Sequence, residues 1–275
     1  MRFTLLYPLF KTKAVTFSYD DGVIQDQKTV EILNRYRLKG TFNVNSGLFG
    51  AKKIRDGIDC SRLSSPASVK LFQGHEVASH TLSHPHLEGL PYEEQRKEYG
   101  EDVFALSKLF KTEISGSAYP YGTYDLVTLR VLKDLRMSYA RTTQSTYGFH
   151  RPYDFLLWHP TIHHRDPLLM PLLQKFYETE EELAIFYLWG HSYEFALDDN
   201  FAVLETFCQD VSSHEEVWSA TNGEIYRYVS DANMLYYRDG FFVNPSESDV
   251  YLAVGGDRLI VGALSHLPYI EGEKA

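Results

Sequence analysis

Short runs of β-branched and aromatic residues alternate with longer stretches of helical apolar spacing along most of the chain, and few folds accommodate that rhythm. Eight runs read as strands: Ala14 to Asp20, Thr41 to Asn45, Glu76 to Ser79, Ile114 to Tyr119, Tyr139 to Thr143, Trp158 to His163, Leu183 to Gly190 and Val217 to Thr221. Helical segments lie between them at Asp26 to Leu38, Pro66 to Gln73, Tyr92 to Phe110, Tyr124 to Arg136, Pro167 to Thr179 and Phe201 to Val211, with a last one from Gly223 to Leu235. Gly40 and Gly74 act as stops for the first two. The alternation predicts an α/β fold, a (β/α) barrel of seven or eight units in preference to an open doubly wound sheet. From about Tyr236 the texture changes to short β runs with hairpin signals at Asp239-Gly240 and Gly255 to Asp257. Residues 1–235 are therefore expected to form the barrel, and 236–275 a small C-terminal β appendage packed on it.

The chain has 275 residues, 44% hydrophobic and 23% charged, enough to bury a sizeable core. Its 27 Lys and Arg against 37 Asp and Glu give a net charge of -10, which repels phosphate backbones and anionic lipid, so neither nucleic acid nor membrane is expected as a partner. The 20 Tyr and 17 Phe would suit a carbohydrate or other small polar ligand. Cys60 and Cys208 stand far apart without metal-ligand spacing, which fits a reducing compartment. The opening ten residues are broken by Pro8 and lack a small-residue cleavage site, and no apolar run approaches membrane-spanning length. A cytoplasmic protein is expected, with self-association left open.

Active sites of such barrels collect at the C-terminal ends of the strands. The first strand runs into Asp20-Asp21-Gly22; in an extended chain the two carboxylates would point oppositely and take different roles, one on a cation and one moving a proton, although Asp-Asp-Gly is also an ordinary turn. The third ends in Ser79-His80-Thr81-Leu82-Ser83-His84-Pro85-His86, and the His80 to His84 spacing can direct both imidazoles to one metal. With Asp21 they would form a two-histidine, one-carboxylate set suited to zinc hydrolysis or ferrous oxygenation. Tyr119-Pro120-Tyr121-Gly122 after the fourth strand is either a plain turn or a loop whose N–H groups face an oxyanion. His191 leaves a near-continuous apolar strand as a desolvated proton donor or acceptor. Arg141, inside the fifth, calls for a carboxylate partner, and Asp20 is the candidate. His159, His163 and His164 are provisionally substrate-side, whereas His75, His150, His214 and His266 lie outside the constellation.

Thr16-Phe17-Ser18-Tyr19-Asp20-Asp21-Gly22 and Gly74-His75-Glu76-Val77-Ala78-Ser79-His80-Thr81-Leu82-Ser83-His84-Pro85 resemble the first two motifs of the polysaccharide deacetylases of the NodB-homology superfamily, carbohydrate esterase family 4. Tyr119-Pro120-Tyr121-Gly122 resembles the third motif and Leu188-Trp189-Gly190-His191 the histidine-bearing last one. The resemblance implies a deformed barrel and a hydrolase that removes acetyl from an N-acetylated sugar or related small amide. It implies a divalent metal on Asp21, His80 and His84, usually zinc, with cobalt, manganese, nickel or ferrous iron as alternatives. Asp20 would be the base, His191 the acid and the Tyr121 N–H an oxyanion donor, with Tyr119, Trp189 and Arg141 on the substrate side. Where the third motif commonly carries an arginine this chain has Ala118, and Arg141 is the expected substitute. A small or oligosaccharide substrate is expected. The runner-up is hydrolysis of another non-peptide C–N bond, as in allantoinase-like and cyclic-imide hydrolases, some of them without metal; a non-catalytic carbohydrate-binding module ranks last.

Overall fold

The computed structural model describes residues 1–269. The expected deformed α/β barrel is what forms: eight parallel strands, β1 (Lys13–Asp20), β2 (Thr41–Val44), β3 (Glu76–Ser79), β4 (Gly116–Ala118), β5 (Tyr139–Arg141), β6 (Ile162–His163), β7 (Ala184–Gly190) and β8 (Val217–Ser219). The order across the curled sheet is β5-β4-β3-β2-β1-β7-β6, with β8 on the lower part of β1. The two ends of that order approach each other through the segment entering β6. The Trp158 N–H donates to the Ala140 carbonyl at 3.0 Å and the Thr161 N–H to the Tyr187 carbonyl at 3.0 Å, so one stretch of chain touches both edges.

Helices α1 (Asp26–Arg35), α2 (Ser65–Leu71), α3 (Tyr92–Phe110), α4 (Leu126–Asp134), α5 (Leu169–Glu178), α6 (Ser192–Leu197), α7 (Phe201–Ser212) and α8 (Asn222–Ala232) complete the units. Seven coincide with the predicted segments; α6, a single short turn after β7, has too few residues to show an apolar period.

The central strand β1 is buried along its whole length, as a parallel strand covered on both faces must be. Its alternation divides the core. Val15, Phe17 and Tyr19 pack outward with α1, α5 and α7, against Leu33, Phe176 and Phe207. Ala14 joins Tyr139, Trp158, Ile185 and Tyr187 in the interior. The bulky aromatics fill the lower barrel, which leaves Asp20 at the upper end of the inward-facing row.

Five more strands follow α8: β9 (Tyr236–Arg238), β10 (Phe241–Asn244), β11 (Val250–Val254), β12 (Asp257–Val261) and β13 (Ser265–Pro268). The strand Thr4–Leu6, within the segment expected to belong to the barrel, pairs antiparallel with β11 in register Thr4 to Ala253. Leu5, Phe242, Val250 and Leu252 share one apolar cluster with Tyr139, Trp158 and Tyr187, so this β layer and the barrel have a common core. The end of the expected appendage, residues 270–275, lies outside the described residues.

Gly116 in β4 shows how tightly the barrel is filled, since a methyl group there would lie 2.1 Å from Tyr139 Cζ. Gly116→Ala should destabilise the protein by about 2 kcal/mol or more, the cost of overpacking a close-packed core. An unchanged urea midpoint would mean that Tyr139 can move aside.

Candidate active site and metal centre

Asp20 and Asp21 are successive residues, and an extended backbone would send their carboxylates to opposite faces. The chain avoids this: Asp21 takes φ 87° and Gly22 φ 63°, both left-handed, and the reversal brings Asp21 back to the barrel mouth. His80 Nε2 then lies 3.9 Å from Asp20 Oδ2 and 3.9 Å from Asp21 Oδ1. The expectation of opposed carboxylates therefore fails in geometry, although their surroundings do differ.

Asp20 is enclosed by hydrogen bonds. Arg141 Nη2 donates to its Oδ2 and Asn43 Nδ2 to its Oδ1 at 2.8 Å. Burial pushes its carboxyl upward, but the Arg141 charge and the histidines outweigh it and hold Asp20 below the usual carboxylate range. The guanidinium is fully buried, with its Cζ 4.3 Å from the Trp189 ring centroid. Arg141 thus reaches the carboxylate from β5, where Ala118 on β4 cannot.

Asp21 has an arginine of its own. Arg62 Nη2 sits 2.8 Å from its Oδ1, and Arg62 Nη1 donates to its main-chain carbonyl at 2.6 Å. Burial raises its carboxyl, whereas Arg62 and the neighbouring histidines hold it well below the usual range. His84 Nε2 stands 3.6 Å from the same Oδ1, and the ligand atoms of Asp21, His80 and His84 all lie within 4.8 Å of one another. His80 Nδ1 is tied to the Ala118 carbonyl at 2.8 Å, which turns Nε2 toward the carboxylates, the outer-shell arrangement a metal-binding imidazole needs. Burial lowers His80, and lowers His84 to about 4, so both present neutral nitrogens at pH 7. Asp21 Oδ1 is buried, with the Arg62 guanidinium on one side and the two imidazoles on the other. This donor set fits a divalent cation: a tetrahedral site with bonds of about 2.0–2.1 Å has edges near 3.3 Å, a small contraction from what is present.

His191 opens the far wall. Its Nδ1 lies 3.3 Å from Glu194 Oε2, which also accepts the His191 N–H at 2.9 Å. Burial would discharge the imidazole, but Glu194, Asp20 and Asp21 together raise its affinity for the proton. His163 and His164 bring Nε2 atoms to 3.2 and 3.3 Å from the same Oε2, and these contacts hold Glu194 far below its usual range despite burial. The two histidines expected on the substrate side are thus gathered on Glu194. His159 instead contacts Thr142 Oγ1 at 2.6 Å, in a separate depression with His150 and Tyr153.

Tyr121, at φ 57° on the tip of its loop, is exposed and stacks on His86 at 3.9 Å between centroids. Tyr119 also lines the cleft, with its ring largely buried and its hydroxyl donating to the Leu156 carbonyl at 2.6 Å. Trp189 lies under Arg141 with its Nε1 unpartnered. A cleft of about 640 Å³ is lined by both aspartates, His80, His84, Tyr121, Trp189 and His191.

Sequence reasoning missed Arg62 and Glu194. Arg62 sits in a loop without a motif, and nothing in its neighbourhood predicts it. Glu194 had a usable signal, since a carboxylate three residues after a strand-ending residue is the spacing of a helix-capping pair.

A sequence model of the polysaccharide deacetylase family matches residues 10–140, a stretch that carries the aspartate pair and both candidate metal-binding histidines. Over that stretch this chain is similar to the polysaccharide deacetylases. It is 25% identical over 149 residues to YxkH of Bacillus subtilis, described as a putative polysaccharide deacetylase, covering 50% of each chain. The chain spans about half the length, or less, of the curated relatives it matches. The fold agrees with that of a solved putative polysaccharide deacetylase from Mycobacterium smegmatis, at TM-score 0.58 and 17% identity, over 86% of this chain and 96% of that one. It agrees also with a family 4 acetyl xylan esterase from Clostridium thermocellum solved with a cobalt ion, at TM-score 0.52 and 13% identity, over 78% and 90%. No helix among the described residues is long and apolar enough to cross a membrane.

His75, His84 and His164 are all lowered to about 4 by burial, against about 6.5 in an unfolded chain. Between those values the unfolded state binds protons that the native state refuses, so stability is full above pH 6.5 and is lost as pH falls toward 4. The urea midpoint of the metal-free protein should drop steadily from pH 7 to pH 4.5, and a flat profile would contradict the burial of these rings.

Proposed function

We propose that the protein is a metal-dependent hydrolase that removes acetyl from an N-acetylated sugar or related small amide. The observation that carries this reading is the meeting, at one cleft, of an Asp-His-His donor set, an arginine-held carboxylate and an imidazole set against a carboxylate. Asp21, His80 and His84 would hold the divalent cation, zinc being the first choice for nitrogen and carboxylate donors. Bound there, it would polarise the acetamide carbonyl and acidify water.

The remaining work falls to the chain. Asp20, kept ionised by Arg141 and aimed by Asn43, accepts a proton from the attacking water. The Tyr121 main-chain N–H is the proposed donor to the oxyanion. His191, whose affinity for the proton Glu194 and the two aspartates raise, supplies a proton to the departing nitrogen as the C–N bond breaks. Water and the acetamide are consumed; acetate and a free amine result. The polysaccharide deacetylase family of residues 10–140 supports the reading, as does the cobalt in the structurally similar esterase.

Acetate release from a panel of N-acetylated sugars tests the reaction. Asp20→Asn should cut kcat about a hundredfold or more without loss of metal, as removal of a general base does. Unchanged turnover would take Asp20 out of the chemistry. Glu194→Gln should lower kcat more than it changes KM and shift the basic limb of the pH–rate profile downward, because His191 then loses the charge that retains its proton. A simple rise in KM would instead make Glu194 a substrate contact.

A further inference from the structure

The chain is strongly acidic, with a net charge of -10, yet the walls of its cleft have the opposite sign. Two carboxylates line it, Asp20 and Asp21, against four cations, Lys52, Lys53, Arg55 and Arg62. The carboxylates are already neutralised, Asp20 by Arg141 behind the wall and Asp21 by Arg62. Three positive charges remain, none of them ion-paired among the described residues. All come from one segment, the loop and hairpin Ile54–Arg55 with Ile58–Asp59, which overhangs the mouth beside α6. Arg55 is fixed in place: its Nη1 donates to Tyr193 Oη at 2.6 Å, and its Cζ lies 5.1 Å from that ring's centroid. A surface dominated by acidic residues does not concentrate unpaired cations at its one candidate catalytic opening by composition alone. Cations on a concave wall draw in anions and discriminate among them.

We infer that the substrate is an N-acetylated glycan that carries negative charge, as carboxylate or phosphodiester, within a sugar or two of the acetamide. This rests on the deacetylase reading above and adds to it the charge of the chain beyond the reacting group. The cleft, at about 640 Å³, has room for a short stretch of glycan and not merely for one acetylated sugar. Lys52 and Lys53 are exposed at its rim and can follow a flexible anionic chain, while Arg55 offers a fixed planar donor for a carboxylate or phosphate.

Three oligosaccharides of matched length separate the cases: neutral N-acetylglucosamine oligomer, alternating N-acetylglucosamine and glucuronate, and oligomers of N-acetylglucosamine 1-phosphate. Acetate release and calorimetric binding are both measured, with metal-loaded full-length protein at low and high salt. One charged series should show kcat/KM at least about tenfold above the neutral one, lost at high salt, as screening of rim charge requires. Whichever series it is identifies the anion. Lys52→Glu/Lys53→Glu, checked for an unchanged melting temperature, should raise KM for that series about tenfold and leave kcat nearly as it was. Equal use of neutral and charged substrates, or a preference that survives the double variant, overturns the inference while leaving the deacetylase reading intact. Salt-sensitive binding of a charged oligomer without acetate release from any of the three leaves the charge inference standing and overturns the reaction.

Discussion

Two ionised carboxylates on neighbouring residues, buried at the mouth of a barrel, would repel each other and resist desolvation unless each had its own cation close by. Asp20 has Arg141 and Asp21 has Arg62. Taking one partner from a buried pair leaves the other charge stranded, at about 3–5 kcal/mol, so the arrangement is fixed as a unit. It separates the two carboxylates by surroundings: Asp20 meets Arg141 and Asn43, whereas Asp21 Oδ1 lies between Arg62 and the imidazoles of His80 and His84. The left-handed backbone at Asp21 makes this possible, because it turns adjacent side chains into one opening.

Much of this was legible in the sequence. The alternation of strand and helix placed all eight barrel strands and seven of the eight helices, because long amphipathic segments and near-continuous apolar strands leave strong periodic signals. The pairing of Arg141 with Asp20 could be anticipated from the cost of a charge inside a β-strand. What escaped has physical reasons too. The backbone reversal at Asp21 is a conformation no residue pattern declares, and Arg62 comes from a loop whose path depends on tertiary packing. The strand Thr4–Leu6 looks like an unremarkable apolar leader until β11 arrives from the far end of the chain to pair with it. The direction of the Tyr119 hydroxyl, inward to the Leu156 carbonyl, is likewise a matter of tertiary packing that its motif does not declare.

The opposite wall shows a second use of buried charge. Glu194 gathers His163, His164 and His191 around one oxygen, and the affinity of His191 for the proton rises where burial alone would lower it. One rim therefore holds His80 and His84, whose affinity for the proton burial lowers, and His191, whose affinity the surrounding carboxylates raise. The basic loop above the cleft carries the same logic outward, to where a longer ligand would lie.

The account depends most on where a divalent cation settles, because a second cluster of histidines and a carboxylate, His163, His191 and Glu194, lies close at hand. A crystal soaked in cobalt and examined by anomalous diffraction at the cobalt edge decides between them. One strong peak is expected, about 2.0–2.3 Å from Asp21, His80 and His84, with Asp20 still on Arg141. A peak on Glu194 and His191, or none at stoichiometric cobalt, would contradict the assignment of the two aspartates and the chemistry built on it.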